Sequence, residues 1–201
     1  MGDHTTARKD LELIMKQEVV FQDPFHLKLF YRFMFFWLWD NGWVQVDGSP
    51  SERELEVYYS EEVRTGDVKE IHFWWRPYKQ PANPYFRYHL WIDVLLLGLR
   101  DTEIMHNDKK LKVQIGEISI RITSHLETGA SKGLKDFGKK GLTKQFKSYW
   151  EDYWYGRKKE WHEDLLSEET LKFQNAMKEF FAMKQWSATP ELFDDQLGLD
   201  N

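Results

Sequence analysis

The feature that most constrains this sequence is a pair of alternating segments in its middle, residues 68–76 and 85–94. Apolar side chains recur at every second position in both, which is the period of a β-strand with one buried face. The eight residues between them, 77–84, include three prolines and predict a connection outside the strand ladder. The sequence therefore predicts a long antiparallel hairpin within residues 68–97. Its predicted core face comprises Phe73, Trp75, Phe86, Tyr88, Leu90 and Ile92.

Further strand-like segments surround this hairpin. Short strands are predicted at 43–46 and 53–60, and another hairpin at 103–115 turns through Asn107 and Asp108. The apolar phase then changes from odd to even positions at Gly116, which predicts a β-bulge or a sharp corner. These segments together predict a curved antiparallel sheet of about five to seven strands within roughly residues 43–126.

Helical patterns flank the predicted sheet. Residues 5–19 have the pattern of an amphipathic helix, and 24–40 form an almost wholly apolar helix that Asp23 and Pro24 introduce as N-cap and first helical residue. Two C-terminal helices are predicted at 143–158 and 168–185. Ser167 is the predicted N-cap of the last one. The fold class is therefore α+β, with the helices at 24–40 and 143–158 on the apolar face of the sheet.

Composition and charge limit the function classes. The chain has 201 residues, ten Trp, nine Tyr, fourteen Phe and no Cys, which excludes disulfides and thiolate chemistry. No apolar run reaches the length of a membrane span, and the absence of Cys fits a cytoplasmic protein. We expect one domain over 1–186, with a Gly/Lys-rich loop at 128–142, and an acidic flexible tail over 187–201.

Two segments carry a resemblance to a known family. They are IHFWWRPYKQPANPYFRYHLWIDV and EIMHNDKKLKVQIGEISIRI, which contain Trp74-Trp75, Tyr85 to Asp93, Met105 to Lys110 and Gly116-Glu117. The pattern resembles a family of uncharacterised archaeal proteins of similar length, over roughly residues 25–185. Asp108 departs from the glycine that this family favours in the turn. The resemblance implies no activity, ligand or cofactor.

The polar face of the central hairpin is the candidate site. If the strands pair symmetrically about 77–84, His72 lies beside His89, Trp74 beside Arg87 and Glu70 beside Trp91. Histidines can transfer protons, and adjacent Trp and Arg can stack on a planar group. The alternative is a sheet face that carries ion pairs for solvation or lies beneath a helix. The candidate ligand-binding residues are His72, Trp74, Arg76, Arg87, His89, Trp91 and Asp93.

No motif for catalysis, a metal or a cofactor is recognisable, so we predict none of these. The leading interpretation is a non-enzymatic binding module with a protein partner. One alternative is a small-molecule-binding protein or an enzyme that uses the His/Arg/Trp sheet face. Another is RNA or ribosome association through residues 132–159. The candidate phosphate-binding or acidic-partner-binding residues in that segment are Lys139, Lys140, Lys144 and Lys147.

Overall fold

The computed structural model describes residues 11–43, 55–64, 66–106, 109–129 and 156–186. Six strands form one curved antiparallel sheet that is not closed, in the order β1-β6-β5-β3-β2, with β4 paired to β5. The strands are β1 (Leu11–Phe21), β2 (Glu56–Arg64), β3 (Val68–Trp75), β4 (Tyr78–Lys79), β5 (Phe86–His106) and β6 (Lys109–Thr128). The helices in the described part of the chain are α1 (Leu27–Asp40) and α2 (Gly156–Trp186). The predicted α+β class is confirmed.

The central hairpin exists, but its predicted register is wrong. Trp74 pairs with Asp93 and His72 with Leu95, a displacement of six residues from the symmetric pairing. The backbone pairing of the hairpin continues past Pro77. A proline lacks only the donor, and its carbonyl still accepts a hydrogen bond of 3.0 Å from the amide of Leu90. β4 then pairs with β5 in the same register, so the turn lies nearer to Asn83 than the position of the prolines suggests.

β5 and β6 form a single long hairpin rather than a series of short ones. Their strand pairing extends from Phe86 opposite Thr128 to His106 opposite Lys109. The predicted bulge is confirmed, because the register shifts between Leu97 and Arg100, opposite Gly116. A Cβ at Gly116 would lie 2.9 Å from the carbonyl oxygen of Leu97, so only glycine fits this close approach.

The N-terminal segment was expected to be helical, and the structure contradicts that expectation. Leu11–Phe21 forms the edge strand β1, paired with β6 from Leu11 opposite Glu127 to Phe21 opposite Ile118. Pairing with a distant strand outweighs the local preference of a short segment whose apolar pattern fits either period. α1 confirms the predicted apolar helix but begins three residues later, with His26 rather than Asp23 as its N-cap.

α2 corrects the prediction of a helix that begins at 168. The helix runs without a break from Gly156 to Trp186, so Ser167 lies in its interior and is not an N-cap. One hydroxyl in this stretch, that of Thr170, donates to the carbonyl of Leu166 at 2.7 Å instead of capping a new helix. Apolar side chains of both helices are buried: Phe173, Met177, Phe180 and Phe181 of α2, and Phe30 and Met34 of α1.

Both helices pack on one face of the sheet, and an aromatic core fills the space between. Phe21 and Phe181 stack with ring centroids 4.4 Å apart, and Phe30 and Phe181 stack at 5.0 Å. No helix among the described residues is long and apolar enough to cross a membrane. The predicted strand at 43–46, the loop at 128–142, the helix at 143–158 and the tail at 187–201 lie mostly or wholly outside the described residues.

Candidate functional site

The candidate site is the face of the sheet opposite the two helices, called the open face below because neither α1 nor α2 packs on it. Alternation places Phe73 and Trp75 in the core, and their neighbours His72 and Trp74 on the open face, where they are half-buried. The predicted core face of the hairpin is confirmed, because its β5 members are 0–2% exposed: Phe86, Tyr88, Leu90 and Ile92.

A continuous row of stacked groups crosses four strands on the open face. Tyr58 of β2 stacks on Trp74 of β3 with ring centroids 4.3 Å apart. The guanidinium of Arg76 lies between two indoles, 5.6 Å from the ring of Trp74 and 5.4 Å from that of Trp91. Trp91 in turn contacts the ring of His125 on β6 at 4.0 Å. We call this row the ladder: Tyr58, Trp74, Arg76, Trp91 and His125.

An ion pair and two hydrogen bonds fix Arg76 within the ladder. One guanidinium nitrogen lies 2.5 Å from a carboxylate oxygen of Asp93. Another donates to the backbone carbonyls of Trp75 and Ile92 at 2.9 and 3.2 Å. A cation between two rings with all these partners has little rotational freedom, so the centre of the open face is rigid.

A second group of charges lies beside the ladder. His89 contacts the carboxylate of Glu127 at 2.9 Å, and Arg87 approaches the same oxygen at 3.6 Å. The side chain of Glu127 is only 2% exposed, so these basic neighbours compensate for a buried charge. Arg87 also packs over the ring of Tyr78, 5.0 Å from its centroid.

Burial favours the neutral form of two histidines on the open face. Burial, together with the neighbouring His89 and Arg76, lowers the pKa of His125 to about 4. Burial also lowers the pKa of His72, whose Nε2 accepts a hydrogen bond from the indole nitrogen of Trp74 at 2.6 Å. The Nδ1 atom of His125 forms no hydrogen bond in the described part of the chain.

The structure places all seven predicted site residues on the open face, although in two groups. Trp74, Arg76, Trp91 and Asp93 meet at the centre. The predicted contact of His72 with His89 is absent, since His72 pairs with Leu95 and His89 with Tyr78 and His125.

Sequence reasoning missed Tyr58, His125 and Glu127, which complete the two groups. They lie on β2 and β6, and only the pairing of these strands with β3 and β5 brings them near the predicted residues. The sequence does contain one indication of these site residues. In the segment HLE at 125–127, two ionisable residues flank a leucine within an otherwise apolar strand.

The other candidate sites receive less support from the described residues. No group of three or more His, Asp or Glu among them could hold a metal ion. Lys139, Lys140, Lys144 and Lys147 lie outside the described residues, so their role stays a prediction. Lys159 is described, and it forms ion pairs with Glu12 at 2.5 Å and Glu163 at 3.4 Å.

Comparison with known proteins gives no assignment. No model of a known protein family matches the chain, and no curated protein matches it. The resemblance to archaeal proteins therefore stays a prediction, and the function must be argued from the geometry of the site.

Proposed function

We propose that this is a non-enzymatic binding protein of the cytoplasm whose open face binds a partner protein. The observation that carries the proposal is the ladder, a rigid and half-exposed row of Tyr, Trp and Arg side chains. These three residue types dominate the energetic centres of protein interfaces. Because the ladder is already ordered in the free protein, binding costs little side-chain entropy there.

The charges of the open face favour a protein over a nucleic acid. Each of its four paired arginines has a carboxylate on the same face: Arg64 with Glu70, Arg76 with Asp93, Arg87 with Glu127 and Arg121 with Glu18. Binding to a nucleic acid depends on cations that are free to neutralise phosphates. Arginines that are already paired supply little of this attraction, so the face suits a partner whose contact surface is near neutral.

The chemistry of the open face also supports binding rather than catalysis. Its two neutral histidines contact indoles, through the 2.6 Å hydrogen bond of His72 and the ring contact of His125. A general base must instead lie within hydrogen-bond reach of a nucleophile or of the substrate. His89 and Arg87 both lie near the carboxylate of Glu127, at 2.9 and 3.6 Å, as expected of a charge-compensating group. These groups therefore act as structural elements of the surface.

Two neighbouring tyrosines of β2 provide a matched test. Tyr58 lies at the outer end of the ladder and is 40% exposed, whereas Tyr59 points to the other face of the sheet and is 49% exposed. Proteins retained from a lysate of the source organism on the immobilised full chain would be identified, purified and titrated against wild type, Tyr58→Ser and Tyr59→Ser. We expect Tyr58→Ser to weaken binding at least tenfold, the loss typical of an interface hot spot, and Tyr59→Ser to leave it unchanged.

Salt dependence separates this proposal from the RNA alternative. A neutral protein interface should bind almost equally at low and high salt, whereas phosphate contacts weaken steeply as salt rises. A retained partner that binds both tyrosine variants equally well would contradict the proposal. So would retention of RNA alone, lost at high salt and unaffected by Tyr58→Ser.

A further inference from the structure

A cleft lies on the helix side of the sheet, separate from the open face. It occupies about 520 Å³ between the N-terminal half of α1 and strands β2, β3 and β5. This volume is in the range of pockets that bind small molecules. We call it the α1 cleft.

The floor of the α1 cleft is apolar. Ile71, Phe73 and Leu99 line it and are 4%, 1% and 3% exposed. Tyr31 forms a wall, because its ring packs edge-on against Trp75 with centroids 4.8 Å apart and its hydroxyl donates to Glu56 at 3.0 Å. An apolar ligand body that covers this floor would be removed from water, which is favourable.

The rim of the α1 cleft has an excess of positive charge, with three basic and two acidic side chains. Lys69 is paired with Glu61 at 3.1 Å, and Asp101 accepts a hydrogen bond from Gln114 at 2.9 Å. Arg32 and Lys28 also line the cleft, and neither forms an ion pair with any described residue. Arg32 is half-buried, so its charge, which no described residue pairs, lies where water screens it incompletely.

The start of α1 adds to this positive potential. The first turn of the helix contains no acidic residue, although acids usually occupy that position to complement the helix dipole. The amide of Leu27 is already used by the side chain of Gln114 at 3.1 Å. The side chains of Arg32 and Lys28 therefore remain as the groups of the cleft that can bind an anion.

We propose that the α1 cleft binds an amphiphilic anion, a small apolar body that carries one carboxylate or phosphate group. The apolar part lies on Ile71, Phe73 and Leu99, and the anionic group is bound by Arg32 with help from Lys28. Guanidinium binds both groups through two parallel hydrogen bonds, which explains the preference for an anion over an alcohol. This site is independent of the protein-binding function proposed for the open face.

Three ten-carbon probes test the chemistry of the site. Decanoate, decyl phosphate and decanol share one apolar body and differ in the head group, so isothermal titration of the full chain isolates the contribution of the charge. We expect saturable binding of one or both anions, at least tenfold tighter than binding of decanol. Whichever anion binds more tightly identifies the class of head group. Absence of saturable binding, or equal affinity for decanol, would overturn the proposal.

Two arginine variants locate the anion. Arg32→Gln should weaken binding of the preferred anion about tenfold or more, the effect of losing a hydrogen bond to a charged group. Arg64→Gln is the matched control, because Arg64 lies on the open face, pairs with Glu70 and is 63% exposed. Equal affinity of Arg32→Gln and wild type would refute the assignment. If Arg32→Gln does not fold, the exposed Lys28→Gln must weaken anion binding without changing decanol binding.

The variants of the two sites also separate the two proposals. Tyr58→Ser alters only the open face and should leave decanoate binding intact. Arg32→Gln alters only the α1 cleft and should leave partner binding intact. Either proposal can therefore fail while the other stands.

Discussion

Acid should destabilise this protein through His125, and removing that side chain should remove the effect. His125 is 8% exposed and lies against the ring of Trp91. Burial, His89 and Arg76 lower its pKa to about 4, below the value of about 6.5 in an unfolded chain. Between these two values the unfolded chain binds a proton that the folded protein does not.

The sign and size of this loss of stability follow from the linkage between proton binding and folding. The stability contributed by neutral His125 is complete above pH 6.5 and is lost as the pH falls towards 4. At 1.36 kcal/mol per pH unit, the full loss is at most about 3 kcal/mol. That amount is a large fraction of the stability of an ordinary domain, about 5–15 kcal/mol.

The assay compares wild type with His125→Gln. Free energies of unfolding would be measured in urea at several pH values between 4.5 and 7.5. The pH dependence due to His125 is the difference between the two proteins. His72 and His162, whose pKa values burial also lowers, remain in both. We expect wild type to lose about 1 kcal/mol more than the variant for each pH unit below 6.

An independent measurement can refute the reasoning. NMR titration of the imidazole signals gives the pKa of His125 in the folded protein directly. A pKa near 6.5, or parallel pH profiles for wild type and His125→Gln, would show that the ring is hydrated and that the packing against Trp91 does not exclude water.

Two backbone predictions test the fold. Gly116→Ala should destabilise the protein by about 1–3 kcal/mol in urea unfolding, because the new Cβ would lie 2.9 Å from the carbonyl oxygen of Leu97. A neutral effect would show that the β5–β6 bulge relaxes freely. Glu168→Pro should cost about 3 kcal/mol or more, because it interrupts α2 in its interior, whereas Glu168→Ala should change stability by less than about 0.5 kcal/mol. A tolerated proline would indicate a helix that begins at 168.

The open face shows how much of the candidate site can be predicted from the sequence. All seven of its predicted site residues lie there, because the period of a strand is two and each side chain's face depends only on its immediate neighbours. The predicted contact between His72 and His89 was wrong, because the register of a hairpin depends on the position of its turn. The carbonyl of Pro77 extended the backbone pairing of the hairpin, which no local pattern indicates.

The α1 cleft could not be predicted from the sequence. Arg32, Lys69 and Leu99 belong to three elements that are far apart in the chain, and only the sheet order and the position of α1 bring them together. The local pattern also failed at β1, where the partner strand β6 decided between two conformations that the sequence fits almost equally well.

The sequence by itself determined the class of the fold, the core face of the central hairpin and the bulge at Gly116. Each of these depends on a periodicity or a steric property of a few adjacent residues. Tertiary structure decided the strand register, the conformation of residues 11–21, the ladder and the α1 cleft. These depend on hydrogen bonds and packing between distant segments, whose free energies outweigh local preferences.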